Sequence, residues 1–217
     1  MSLRILKGNI FTSECQTLVN TVNCVGVMGA GIALEFRLRY PKMYSQYVEF
    51  CNQKAIDVGK LWIYKSTKKW ILNFPTKKHW KAPSKPEYLK QGLQKFLSTY
   101  QEKKISSIAF PVLGSNHGGI PQETSLEIME YYLKNCSIPI EIYQYDPEAP
   151  DDLFPDLKAK FSSLNDREII EITGLSKNSL VKVRIAIEQP EVQSLMSFLT
   201  IKGIGFASAE KVMRLTE

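Results

Sequence analysis

The chain has 217 residues, of which 44% are apolar and 23% charged, with a formal net charge of +6. That length and balance suit one core with a small appendage and exclude a disordered or fibrous chain. No apolar run is long enough to span a membrane, the N-terminus has no signal-peptide pattern, and Cys15, Cys24, Cys51 and Cys136 show neither CxxC nor metal-ligand spacing, which points to reduced thiols in a cytoplasmic protein.

Leu3–Lys7 reads as a first strand and Thr17–Asn23 as a second. Gly29–Arg39 reads as a helix, and Pro41 opens another through Gln53. Leu61–Lys65 and Trp70–Phe74 are strands joined by a polar turn, and residues 75–84 form a basic loop. Ser84 is expected to cap a helix running to about Lys103. A strand at 105–112, a loop at 114–120, a helix at 122–135 and a strand at 138–145 follow. The fold class is α/β, with more strands than a plain βαβ repeat supplies.

The run Asp146-Pro147-Glu148-Ala149-Pro150-Asp151-Asp152 marks a boundary between residues 1–146 and 147–217. Beyond it the pattern is all-helical. Asn165 or Asp166 caps a helix at 167–172, Gly174 ends it, Ser176 starts the next through Glu188, and Pro190 opens another. No internal repeat is evident. Charge divides at the same place: residues 1–150 hold 19 Lys+Arg against 12 Asp+Glu, whereas 151–217 hold 9 against 10. A basic first part favours phosphate-rich partners.

Two glycine-rich loops carry the chemistry. Asn20-Thr21-Val22-Asn23-Cys24-Val25-Gly26-Val27-Met28-Gly29-Ala30-Gly31-Ile32-Ala33 runs from a strand through glycines into a helix. Glycines allow close backbone approach, and free amides at a helix start seat phosphate. The spacing is neither that of a P-loop nor that of a Rossmann fingerprint. Gly114-Ser115-Asn116-His117-Gly118-Gly119-Ile120 is a second such loop after a buried strand. Two loops at strand carboxyl ends are placed to clasp a pyrophosphate, although tight turns alone also use glycine.

These strings, with Lys7-Gly8-Asn9-Ile10 and Pro111-Val112-Leu113-Gly114, resemble the macrodomain, the ADP-ribose-binding module, over roughly residues 3–146. Asn20–Gly29 and Asn73-Phe74-Pro75-Thr76-Lys77-Lys78-His79-Trp80 are similar to the DarG branch, antitoxins that strip ADP-ribose from DNA bases. The resemblance implies a three-layer α/β/α sandwich with a mixed sheet, followed here by a small helical region. It implies an ADP-ribosyl glycohydrolase that acts on thymidine in single-stranded DNA, without metal or cofactor. A cognate ADP-ribosyltransferase toxin is the implied partner. Hydrolysis from acidic protein side chains or O-acetyl-ADP-ribose, and non-catalytic ADP-ribose binding, remain alternatives.

The resemblance assigns Lys77 to the anomeric carbon of the distal ribose, where an amine of lowered pKa serves as nucleophile or charge stabiliser. On sequence alone Lys77, Lys78 and Lys81 read equally as a solvated basic face. Lys78, His79, Trp80 and Lys81 alternate cations with aromatic rings, as single-stranded nucleic acid prefers, and base stacking there is worth roughly 1–3 kcal/mol. Asn23 is assigned to the distal ribose; Asn9, Ile10 and Tyr145 to the adenine. Gly29, Ala30, Gly31, Ile32 and Ala33 are assigned to the pyrophosphate and proximal ribose. So are Gly114, Ser115, Asn116, His117, Gly118, Gly119 and Ile120. Gly118 stands where protein-directed relatives carry an Asp, which favours the DNA-directed branch. Leu199–Lys211 resembles a helix-hairpin-helix, whose Gly-x-Gly turn presents amides to DNA phosphate; Thr173–Ser176 reads alternatively as a helix-turn-helix element, and the whole region as a small bundle against a protein.

Overall fold

The computed structural model describes residues 3–216. They fall into two compact units, one ending at Tyr145 and the other beginning at Asp146. In the first, the strands are β1 (Leu3–Gly8), β2 (Thr17–Val22), β3 (Trp62–Lys65), β4 (Trp70–Pro75), β5 (Ile108–Pro111) and β6 (Ile140–Tyr145). Its helices are α1 (Gly31–Arg39), α2 (Pro41–Asn52), α3 (Pro86–Thr99) and α4 (Gln122–Leu133). The strands lie in the order β1-β6-β5-β2-β4-β3, all neighbours parallel except β3 against β4. This is the expected three-layer α/β/α sandwich on a mixed sheet.

Alternation along β2 divides the core. Leu18 and Val22 join the apolar layer of Phe36, Met43 and Tyr47 from α1 and α2. Val19 joins the opposite layer, with Leu89, Leu93 and Phe96 of α3 and Met129 and Leu133 of α4. Helix α3 packs so close to β4 that a methyl group on Gly92 would lie 2.1 Å from the Phe74 ring. Glu141 is buried on β6, where the Ser13 hydroxyl donates to it at 2.6 Å and Arg4 pairs with it. Burial pushes its carboxyl up, but hydrogen bonds from Ser13, Arg4 and Tyr143 outweigh burial and hold it below its ordinary value.

Several boundaries differ from the sequence reading. Helix α1 starts at Gly31 because Gly29 and Ala30 are spent on the loop, Ala30 being extended at φ −156°. Ser84 does not cap α3; Lys85 precedes the helix without a side-chain cap. Strand β5 is shorter than 105–112, after a turn in which Lys104 adopts φ +60°.

The second unit contains α5 (Phe154–Ser163), α6 (Asp166–Thr173), α7 (Lys177–Ile187), α8 (Leu195–Thr200) and α9 (Phe206–Met213). Asn165 caps α6 reciprocally with Glu168, left-handed Gly174 ends it, and Ser176 caps α7. Pro190 opens no helix; α8 begins at Leu195, capped by Ser194. Contrary to the sequence reading, the unit holds an internal repeat at an offset of 29 residues, Gly174 to Gly203. Ile172, Gly174, Ser179, Lys182 and Val183 recur as Ile201, Gly203, Ser208, Lys211 and Val212. The capping residues Asn165 and Ser194 correspond, as do the buried pairs Ile169 and Phe198, Leu175 and Ile204, and Leu180 and Ala209. Contacts are reciprocal: Lys211 donates to the Gly174 carbonyl at 2.7 Å, and Lys182 lies 3.7 Å from where a Gly203 methyl group would be. Each repeat thus lays its lysine on the other's hairpin, the signature of approximate two-fold packing. The shared turn chemistry joins Thr173–Ser176 to the hairpin reading.

Gly92→Ala is expected to lower stability by about 1–3 kcal/mol through overpacking, despite a helix-propensity gain of about 1 kcal/mol. Urea denaturation checks it. Because the folded pKa of Glu141 lies below its unfolded one, the stability it lends is full above the ordinary carboxylate range and is lost as pH falls through the folded value. Glu141→Gln is therefore expected to destabilise at neutral pH, with the gap to wild type narrowing below about pH 4. Melting temperatures across pH measure that gap.

Candidate functional site at the carboxyl edge of the sheet

From β2 the chain continues toward β3 and β4, and from β5 toward β6, so the carboxyl ends of β2 and β5 flank a topological switch point. Three loops converge there, after β2, β4 and β5.

The loop after β2 is organised by Asn23, which is buried. Its side-chain oxygen accepts from the amides of Val25 (3.0 Å) and Val27 (3.3 Å), and its amide nitrogen donates to the Val27 carbonyl. The Tyr47 hydroxyl of α2 donates to the Asn23 carbonyl at 2.7 Å. Asn23 therefore shapes the loop with the same amide that was expected to meet a ribose. The loop ends at the start of α1, where Ala30 offers no side-chain cap and Gly31 holds φ +55°. Such a helix start favours an anion.

The basic loop after β4 is tied to the first. Thr76 donates its amide to the Val22 carbonyl at 2.9 Å, and Cys24 donates its amide to the Lys78 carbonyl at 3.2 Å. Burial pushes the Cys24 thiol up to about 11, so it stands as a neutral neighbour that donates to the Lys77 carbonyl at 3.3 Å. Lys77 points across to the third loop, its Nζ donating to the main-chain carbonyl of His117. Partial burial lowers the affinity of that amine for its proton. Beyond it the loop is exposed: Trp80 is 49% exposed, stacks on His79 with ring centroids 5.8 Å apart, and carries the Lys81 ammonium over its ring, 5.0 Å from the centroid. Lys78 lies 3.9 Å from Asp57.

The loop after β5 closes with the Ile120 amide on the Gly114 carbonyl at 3.0 Å. A 3-10 turn at Asn116–Gly118 carries His117 against α1: a methyl group on Gly31 would lie 2.9 Å from its ring. The two glycine loops thus meet, with Lys77 bridging to the second. Gly118 is hemmed in, since a methyl group there would lie 2.7 Å from the Ser84 Oγ; Gly119, at φ +79°, meets nothing within 4 Å. Any side chain at 118 would therefore crowd Ser84.

At the other end of the edge, Gly8 and Tyr145 are register partners on β1 and β6, which brings Asn9, Ile10 and Tyr145 to one place. Asn9 is buried and its side-chain oxygen accepts from the Phe11 amide at 3.1 Å, while Tyr145 is 49% exposed. Strands spaced about 4.8 Å apart put this end roughly 19 Å from β4 and Lys77. Tyr47 and Ser84 were missed in the sequence. The Met43–Tyr47–Cys51 spacing marks Tyr47 as core, but nothing local reveals where its hydroxyl goes.

Lys77 is expected to titrate below the exposed lysines of this chain. NMR titration of the lysine side chains, with Lys77→Arg for assignment, measures it, and a Lys77 that titrates with the rest contradicts the burial argument.

The macro domain family model matches residues 19–129. The chain is 38% identical over 149 residues to a DNA ADP-ribosyl glycohydrolase of Thermus aquaticus, an alignment covering 67% of this chain and 41% of that relative. It is similar to the macrodomain of Mycobacterium tuberculosis DarG, with a TM-score of 0.64 and 37% identity over 65% of this chain and 97% of that one. It is also similar to Thermosipho africanus DarTG in complex with ADP-ribose, with a TM-score of 0.62 and 32% identity over 66% of this chain and 42% of that one. The chain therefore spans about two-fifths of the length of the curated relative. The stretch that matches the family, from β2 into α4, is the one that builds this edge of the sheet, and the chain belongs to the macro domain family.

Proposed function

We propose that the first unit is an ADP-ribosyl glycohydrolase that frees a DNA base, thymine above all, from ADP-ribose in single-stranded DNA. It would thereby reverse the product of an ADP-ribosyltransferase toxin. The observation that carries this reading is Lys77: an amine of lowered proton affinity, held on the His117 carbonyl where the three loops meet. The names of the relatives support the substrate class. An ADP-ribose laid along the edge has its adenine near Asn9, Ile10 and Tyr145. Its pyrophosphate and proximal ribose lie between Gly29–Ala33 and Gly114–Ile120, and its distal ribose lies beside Asn23 and Lys77. There the neutral amine bonds to the anomeric carbon as the bond to the base nitrogen breaks, the electron pair leaving with the base; water then releases ADP-ribose and restores the lysine. In its protonated form the same group meets the charge developing on the departing base. Lys78, His79, Trp80 and Lys81 would hold the flanking nucleotides by stacking and charge. The site calls for no metal or cofactor.

The second unit is proposed to grip the DNA backbone through its two hairpins. The repeat supports this over a bundle that only packs on protein, because each copy keeps its glycine and its lysine. A toxin partner on this unit is the competing reading.

Incubation with a thymidine-ADP-ribosylated oligonucleotide tests the activity. Lys77→Ala is expected to lose release of ADP-ribose by at least a hundredfold, of the order that a removed catalytic group costs, while still binding free ADP-ribose. Full activity in Lys77→Ala, or release only from modified protein, sinks the reading. For the second unit, Ser176→Asp with Gly205→Asp keeps favourable helix caps yet sets negative charge on both hairpins. Oligonucleotide affinity is expected to fall roughly tenfold, at about one phosphate contact per hairpin, with an unchanged melting temperature. Unchanged affinity assigns the hairpins to a protein partner instead.

A further inference from the structure

Asn20 and Asn73 are register partners on β2 and β4, and both are wholly buried. The Asn20 amide nitrogen donates to the Asn73 side-chain oxygen at 2.9 Å and lies 3.8 Å from the Met28 sulfur of the first glycine loop. The Asn20 side-chain oxygen and the Asn73 side-chain nitrogen have no partner. One neutral hydrogen bond returns less than two orphaned, buried polar atoms cost, so apolar residues at these positions would make a more stable sheet. The pair therefore has a use other than stability.

The strands around it supply that use. From Ile71 to Pro75 every residue of β4 is buried, as is every residue of β2 except Thr21. Strands buried on both faces lack the alternation of apolar and polar residues that fixes alignment, and main-chain bonds form in any register. A slip of two residues keeps every side chain on its own face and moves β4 by about 7 Å along β2. It sets Asn20 beside Ile71 or Pro75 and leaves both amides without a bond, in the layer that holds Leu18, Val22 and Ile71. Selecting one alignment against others is the best-attested use of a buried polar pair. Here the alignment matters downstream: Asn20 lies three residues before Asn23, and Asn73 four before Lys77.

We infer that Asn20 and Asn73 are positioning residues for the reaction: their amide pair fixes the register of β4 on β2, and through it the place of Lys77 relative to Asn23. This rests on the reading that Lys77 acts at the distal ribose. The two glycine loops leave β2 and β5, and the adenine end belongs to β1 and β6, so the proposed seat of ADP-ribose is built without β4. Loosening the register between β2 and β4 therefore moves the amine and spares the seat. Turnover falls while binding holds, and a misplacement of about 1 Å is enough to cost roughly a hundredfold in rate.

The test is the paired replacement Asn20→Leu with Asn73→Leu in the full chain, which keeps the branching of both side chains. Asn20→Val with Asn73→Val is a second pair, slimmer and β-branched as strands prefer. The readouts are melting temperature, calorimetric affinity for ADP-ribose, and kcat for release of ADP-ribose from a thymidine-ADP-ribosylated oligonucleotide. The melting temperature is expected to hold or rise in at least one pair, because both partners are replaced together by apolar groups. Turnover is expected to fall roughly tenfold or more, with affinity for ADP-ribose within about twofold of wild type. Unchanged kcat in a folded pair overturns the inference alone. So does a loss of affinity that matches the loss of rate, or a lowered melting temperature or failure to fold in both pairs, since a merely structural pair gives those results. A wild type that binds ADP-ribose but releases none from the oligonucleotide overturns the reading of Lys77, and the inference with it.

Discussion

Strand β2 lies between β4 and β5, and the carboxyl edge of the sheet depends on those two pairings. The loops bearing Asn23, Lys77 and His117 leave adjacent parallel strands, so strand spacing alone brings them within side-chain reach. The bonding continues past the strands: Thr76 on Val22 and Cys24 on Lys78 stitch the first glycine loop to the basic loop. Lys77 then ties the basic loop to the second glycine loop. A long lysine side chain, costly in entropy to fix, is held here by one carbonyl and by partial burial. Its partner is main chain, so the position of the amine follows the loop and is insensitive to which side chain stands at 117.

Polar groups below the surface set the loop shapes. Asn23 spends its amide on three backbone groups and receives Tyr47 from the helix layer, so the glycine loop is anchored from beneath rather than from the ligand side. Glycines then do what side chains cannot. Gly31 lets the His117 ring lie on the start of α1, and Gly118 lets Ser84 rise under the second loop. The same packing leaves little room for a side chain at 118, where a methyl group would meet Ser84.

The two units divide the work by charge and by construction. The first is basic and bears its glycine-rich and basic loops on a sheet. The second is near neutral and owes its form to a doubled helix pair whose equivalent residues touch reciprocally. A small helical unit cannot bury much apolar surface, and pairing two similar halves across an approximate two-fold axis gives each half the partner it lacks. No helix among the described residues is long and apolar enough to cross a membrane.

Much was legible without coordinates. Residue patterns at periods of two and of three to four placed β1 to β6, the four helices of the first unit and the glycine loops, because local spacing and turn chemistry carry that information. The family strings named Lys77. Helix starts were harder: Gly29 and Ala30 read as helix but serve the loop, and Ser84 reads as a cap but sits under Gly118. Pro190 reads as a helix start, yet the chain waits for Ser194. The repeat escaped because its copies share burial more than identity, and burial is a property of packing. What the sequence by itself determined was the set of elements, the loop chemistry and the family. Only the tertiary structure decided that Lys77 rests on the His117 carbonyl, that Tyr47 holds Asn23 and that Ser84 packs under Gly118. Each of these joins residues tens of positions apart, and a contact of that range is fixed by strand order and packing, neither of which any local stretch of chain encodes.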